Sequence, residues 1–146
     1  MFFLILFGRV LNHQKTFGIQ CIMKLKELRP MLWSDKLPET IEFYTNILGF
    51  TCDERNEDWG WASLSRDGVE IMLAKPNEHI PFEKPVFTGT FYITVDDVDA
   101  LWDVLKNKAT VLYEIEDFEW GMREFAIYDN NGYMLQFGQQ ISDINQ

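Results

Sequence analysis

Few side chains in this 146-residue sequence could carry covalent or metal chemistry, and their spacing narrows what that chemistry is. Histidine occurs only as His13 and His79, and cysteine only as Cys21 and Cys52. Zinc or iron sites built on several imidazoles, and most Ser-His-Asp arrangements, are hard to assemble from that inventory. There is no Cys-x-x-Cys pair and no disulfide framework, which suits a reducing cytoplasm. Cys52 stands beside Asp53 and Glu54, whose charges raise a thiol's pKa and make it a poor nucleophile. Two glutamates remain as acid–base groups, Glu70 and Glu124, each in a run with strand-like alternation. Beside them are Trp33, Trp61 and Tyr92, whose faces hold planar or cationic groups by stacking and cation–π attraction, about 0.5–2 kcal/mol each. No nucleophile, base and orienting group stand together as a set.

The elements that must position these residues occur twice. From Met23 the pattern reads strand, helix and three strands, then the same again, which gives an α+β fold of two βαβββ modules. The first strand is Leu28–Ser34. A helix from about Pro38 to Leu48 follows, with Pro38 suited to the first turn and Gly49 stopping it. Strands follow at Phe50–Arg55, Trp61–Ser65 and Val69–Ala74, the last two joined by the turn Arg66-Asp67-Gly68. Lys75–Phe87, with Pro76, Pro81 and Pro85, is the linker. The second module has a strand at Thr90–Val95, an N-cap at Asp96 or Asp97, and a helical face of Val98, Leu101 and Leu105. Its remaining strands are Thr110–Ile115, Met122–Tyr128 and Tyr133–Gly138, with the turn Asn130-Asn131-Gly132. Asp35 and Asp97 stand 62 residues apart, Trp59 and Trp120 61, and Gly68 and Gly132 64. That near-constant period argues for duplication. The expected boundaries are about 23–80 and 86–141 within one domain, 23–146. Paired side by side, the modules build a curved mixed sheet with helices on its convex face and a pocket on its concave face.

Strand alternation sorts the residues between the faces. Leu32, Leu64, Val69, Ile71 and Leu73 should face the helices in the first module. Phe91, Ile93, Val95, Phe125, Ile127, Leu135 and Phe137 should do so in the second. The concave face then receives Arg29, Met31, Trp33, Trp61, Glu70 and Met72 from the first module, and Thr90, Tyr92, Met122, Glu124 and Gln136 from the second. An aromatic and methionine-rich surface with a few polar groups is the usual make-up of a small-molecule site. These eleven are the candidate ligand-binding residues. Trp59 and Trp120 head equivalent strands, either at the pocket mouths or as repeated packing anchors.

Charge narrows the partners further. Thirteen basic side chains against 23 acidic give a net charge of −10 and a pI near 4.5. Such a field repels phosphate backbones and is compatible with a cationic ligand, although an acidic surface also serves solubility. Residues 1–22 contain Arg9 and Lys15 but no acid. The apolar run Phe2–Phe7 is far shorter than the ~18 residues a membrane span needs, and no signal-peptide architecture surrounds it. The expectation is that Met23 is the natural start and that 1–22 is an extension outside the fold. Without it the balance is 11 basic against 23 acidic, net −12.

Arg29-Pro-Met-Leu-Trp-Ser-Asp35, Thr40-Ile-Glu-Phe-Tyr44 and Leu48-Gly-Phe50, with Thr94-Val-Asp-Asp-Val-Asp99, Glu119-Trp-Gly121 and Tyr128-Asp-Asn-Asn-Gly132, resemble the vicinal oxygen chelate superfamily. It includes glyoxalase I, extradiol dioxygenases, and fosfomycin and bleomycin resistance proteins. The resemblance covers roughly Leu25 to Gln140 and is strongest to the bleomycin resistance branch, through Pro30 and Glu119-Trp-Gly121. It implies paired βαβββ modules, commonly a homodimer. In metal-dependent branches, a divalent ion is held by a His or Gln and a Glu from each half. The matching positions here are Arg29, Met72, Thr90 and Gln136, of which only Gln136 is a suitable ligand. The resemblance therefore implies a protein without a divalent metal cofactor that sequesters a bulky aromatic or cationic compound in the cytoplasm, a form of antibiotic resistance. The alternatives are a glyoxalase-like lyase, isomerase or dioxygenase, or a module whose concave face binds a protein. Arg29 has two readings: an ion pair with Glu124, or a seat for a ligand carboxylate.

Overall fold

A computed structural model describes residues 26–79 and 82–144. Segment 1–22, expected to be an extension, lies outside the described residues. Two four-stranded mixed sheets form, each with its own hydrogen bonding. The first contains β1 (Met31–Trp33), β2 (Thr51–Asn56), β3 (Trp61–Arg66) and β4 (Val69–Ala74). The second contains β5 (Phe91–Thr94), β6 (Thr110–Asp117), β7 (Met122–Tyr128) and β8 (Met134–Gln140). The spatial orders, β1-β4-β3-β2 and β5-β8-β7-β6, are the same, with β1 parallel to β4 and β5 parallel to β8. The duplication legible in the sequence is thus a duplication of topology.

Local chemistry sets the element ends. β1 is shorter than the expected Leu28–Ser34 because Pro30 has no N–H to give a ladder, although its carbonyl accepts from the Met72 amide at 2.8 Å. α1 (Leu37–Glu42) carries Pro38 in its first turn and widens into a π-helical turn over Phe43–Ile47. Gly49, at φ 72°, ends it, and Arg66 Nη1 donates to the Leu48 carbonyl at 2.6 Å. α2 (Val98–Leu105) is capped by Asp97, whose carboxylate accepts from the Ala100 amide at 2.9 Å. Gln139 fixes the same helix start by accepting from Val98 N and donating to Asp96 O. The short α3 (Ile141–Ile144) was not expected. No described helix is long and apolar enough to cross a membrane.

All twelve residues expected on the helix side lie in the core or pack against it. Leu64, Leu73, Phe125 and Ile127 are fully buried beneath α1 and α2, together with Leu37, Tyr44, Val98 and Leu105. Irregular register at Cys52/Glu54 in β2, and on both sides of Tyr113 in β6, bends the outer strands.

The modules are joined by polar contacts at one hairpin. Asp129 is 5% exposed, and its Oδ1 accepts the backbone N–H groups of Asn131, Gly132 and Tyr133, each at 2.9 Å. Its Oδ2 accepts the Tyr44 hydroxyl of the first module at 3.1 Å. Tyr133 extends the joint: its hydroxyl accepts from Trp33 N at 2.9 Å and donates to Trp33 O at 3.2 Å. Ser34 and Thr40 bond to Asn130 and Asn131.

Two outcomes test this joint. Asp129→Ala leaves three turn amides and a buried hydroxyl without their acceptor, so denaturant unfolding should show a loss of about 2–4 kcal/mol; an unchanged midpoint would contradict the joint. Burial first, then the Asp129 charge, hold the Tyr44 hydroxyl pKa well above the ordinary 10. A raised folded-state pKa means the stability Tyr44 contributes is intact below pH 10 and is lost as pH rises further. Thermal midpoints should therefore hold to near pH 10 and then fall, less steeply in Tyr44→Phe. Identical slopes in the two proteins would rule this out.

Candidate functional site

The concave face of the second module is organised around a buried acid. Glu124, on β7, is 2% exposed. Its Oε1 accepts the Tyr92 hydroxyl at 2.9 Å and the Trp120 indole N–H at 3.0 Å, and its Oε2 accepts Gln136 Nε2 at 2.5 Å. Tyr113 of β6 stands close enough for Glu124 to act on its hydroxyl. Register explains the convergence: Glu124 pairs with Gly138 on β8, and Tyr92 pairs with Gln136, so all project from one face. Gly138 is required here, since a Cβ at that position would collide with the Tyr92 hydroxyl oxygen. Without that Cβ, Tyr92 reaches across β8 to Glu124.

The Trp120 indole N–H can only donate, and the Gln136 amide nitrogen also faces Glu124, so both use its oxygens as acceptors. Desolvation, then the hydrogen bond to Glu124, raises the Tyr92 pKa. Desolvation, then the charges of Glu124 and Glu116, pushes Tyr113 up to about 12. Both tyrosines therefore stay neutral donors at physiological pH. Around this centre, Phe118 stacks on Trp120 with ring centroids 4.4 Å apart, and Tyr113 meets Phe118 edge-on at 5.9 Å. Trp120 remains 61% exposed and Tyr92 42%.

The first module differs. Glu70 on β4 is ion-paired by Arg29 Nε at 2.5 Å, while Arg29 Nη2 also holds Glu27 at 3.0 Å. Arg29 thus pairs with Glu70, not with Glu124 as one sequence reading had it. Met31, Met72 and Ser63 are cross-strand neighbours on that face, as are Trp33, Ala74 and Trp61. Met31 is 49% exposed; Trp33, Trp61 and Met72 are half-buried. Trp59 is 78% exposed, and its side chain makes none of the contacts that its counterpart Trp120 makes with Glu124. In the second module, half-buried Met122 opens β7 on the Glu124 face, and Thr90 stands just before β5.

The four positions that correspond to metal ligands do not suit a divalent ion. Arg29 is a cation already engaged with carboxylates, and Met72 is a soft thioether. Thr90 donates its hydroxyl to the Met134 carbonyl at 3.2 Å, and Gln136 is held by Glu124. Among the described residues no group of three or more His, Cys, Asp or Glu side chains is placed to hold a metal. His79 is an exposed loop residue.

Two clefts lie away from the Glu124 cluster. One, of about 780 Å³, separates the modules on the helix side, lined by Ile47, Phe50, Val69, Ile93, Leu101 and Val104 among others. The other, of about 520 Å³, runs between β1 and the linker and takes in Met31, Trp33, Phe82 and Phe87. Tyr113 and Phe118 were missing from the sequence-derived site. Alternation from core-packed Val111 and Ile115 would put Tyr113 on the helix side, and the irregular register on both sides of it turns it to the concave face opposite Ala126.

Comparisons with known proteins agree with this architecture. Curated relatives include an uncharacterized protein of Mycobacterium tuberculosis, 29% identical over 91% of this chain and 85% of its own length. An uncharacterized protein of Mycobacterium bovis is 30% identical over 81% of this chain and 86% of its own. Among solved structures, the bleomycin-binding protein of Streptomyces verticillus, complexed with copper(II)-bleomycin, superposes with a TM-score of 0.60 at 22% identity, covering 80% of this chain and 97% of that one. Lactoylglutathione lyase from Agrobacterium tumefaciens gives 0.62 at 19% identity, covering 78% and 92%. At such identities the likeness is one of fold. The model of the Glyoxalase/Bleomycin resistance protein/Dioxygenase superfamily matches residues 27–137, and the chain belongs to that superfamily.

Proposed function

We propose that the protein is a metal-independent binding protein that sequesters a bulky aromatic or cationic small molecule on its concave face, and so confers resistance to that compound. The observation that carries this reading is the state of Gln136. It is the one suitable ligand among the four metal-corresponding positions, and its amide is committed to Glu124. Aromatic faces left exposed at Tyr92 and Trp120 supply the stacking surface such a ligand needs. The name of the Streptomyces neighbour fits a binding role, and that of the Agrobacterium neighbour fits a lyase. The working form we propose is a cytoplasmic homodimer, in which a second copy covers exposed apolar residues such as Met31 and Leu112.

Titration of intrinsic tryptophan fluorescence with bleomycin-type glycopeptides and other flat aromatic compounds tests this directly. A saturable change is expected with at least one of them, in protein stripped of metal and unaffected by added divalent ions. Silence toward the whole panel would remove the binding role. A stoichiometric divalent ion in the purified protein, needed for turnover of a thioester or oxoaldehyde adduct, would establish the lyase instead.

A further inference from the structure

We infer that the second module selects the ligand, and that it takes an organic cation, an ammonium or a charged nitrogen ring, seated against Tyr92 and Trp120 over the Glu124 carboxylate. This rests on the binding role proposed above and narrows it to one class of compound and one half of the concave face.

Glu124 is almost wholly buried, yet no ion pair among the described residues includes it. Its hydrogen-bond partners, Tyr92, Trp120 and Gln136, are neutral, and so is nearby Tyr113. Their dipoles hold the carboxylate in place but do not cancel its charge, and in a poorly solvated site that charge acts strongly on anything placed next to it. The cation nearest in sequence, Arg123, points to the other face of β7. There it is fixed by Asp99, at 2.8–3.1 Å, and by Asp117, at 2.8 Å. In the first module the acid is neutralised: Glu70 has Arg29. The two concave surfaces thus carry acids at different places, Glu70 on β4 cancelled internally and Glu124 on β7 left for a cation from outside.

The surroundings of Glu124 fit that role. A positive nitrogen is attracted to aromatic faces as well as to carboxylates, and the Trp120 indole stays exposed while its N–H is anchored on Glu124. Phe118 stacked behind it limits its freedom, so little ordering remains to be done when a ligand arrives. The net charge of −10 draws cations toward the protein at long range.

Equilibrium dialysis with 10-methylacridinium and neutral acridine, near neutral pH, isolates the charge because the two rings have nearly the same shape. The wild-type protein should bind the cation at least about tenfold more tightly than acridine. Glu124→Gln should bring the two affinities to within about twofold of each other, in protein whose near-UV circular dichroism reports that it is folded. Should that variant fail to fold, Trp120→Leu, at an exposed position, should weaken 10-methylacridinium binding several-fold. Equal affinity for the two dyes in the wild type, a preference that survives Glu124→Gln, or no effect of Trp120→Leu would overturn the inference while leaving the binding role intact. If neither dye binds, nor any compound of the fluorescence panel, the binding role fails and this inference fails with it.

Discussion

Asp129 ties the second module's last hairpin to the first module's helix, and much of the molecule's geometry depends on that carboxylate. One oxygen closes the turn before β8 by accepting three consecutive amides, and the other receives the Tyr44 hydroxyl from α1. Burial raises the Asp129 pKa, and the amides and the Tyr44 hydroxyl that bond to it work against that shift. The hairpin fixed in this way sets the register of β8 against β7 and β5. That register brings Gln136, Gly138, Tyr92 and Glu124 together. The joint and the site are therefore coupled through one strand, although their carboxylates face different surroundings.

Much of this was legible in the residues themselves. The period near 62 residues, the helix-facing apolar set and the Asp-x-x-Gly turn all follow from local rules of alternation and turn chemistry, and the structure follows the same rules. The short β1 was less legible, because a proline that still accepts a ladder bond looks like strand from one side only. The π-helical end of α1 has no sequence signature in Phe43–Ile47 that would separate it from an α-helix. Tyr113 was hidden by the irregular register of β6, and the reach of Trp120 to Glu124 depends on a turn, Phe118–Gly121, whose geometry no periodicity encodes. Local patterns specify faces, whereas the site also depends on bends that move residues from one face toward its rim.

Duplication makes the differences between the halves informative. The same topology occurs twice, so a feature required by the fold alone should be present in both modules. The Trp-Gly turn is present in both, at Trp59-Gly60 and Trp120-Gly121, and both glycines have positive φ. The indole contact to a buried acid is not, for Trp59 is left 78% exposed. Nor is the neutral-donor shell: β3, the counterpart of β7, carries no acid, and the first module's concave acid, Glu70, stands on β4 and pairs with Arg29. Folding economy alone favours the first solution, since an ion pair lowers the cost of placing a carboxylate on a half-buried face. The second solution leaves a charge uncancelled, and a ligand-binding role accounts for keeping it.

The most direct measurement follows the five tryptophan indole N–H signals by nitrogen-edited NMR while 10-methylacridinium is added. Trp120, hydrogen-bonded to Glu124, should show the largest shift, with Trp102, packed on the helix side against Phe125, nearly still. The opposite pattern, with Trp120 unmoved while Trp102 and the amides of Leu101 and Val104 shift, would place the ligand in the helix-side cleft and contradict the account.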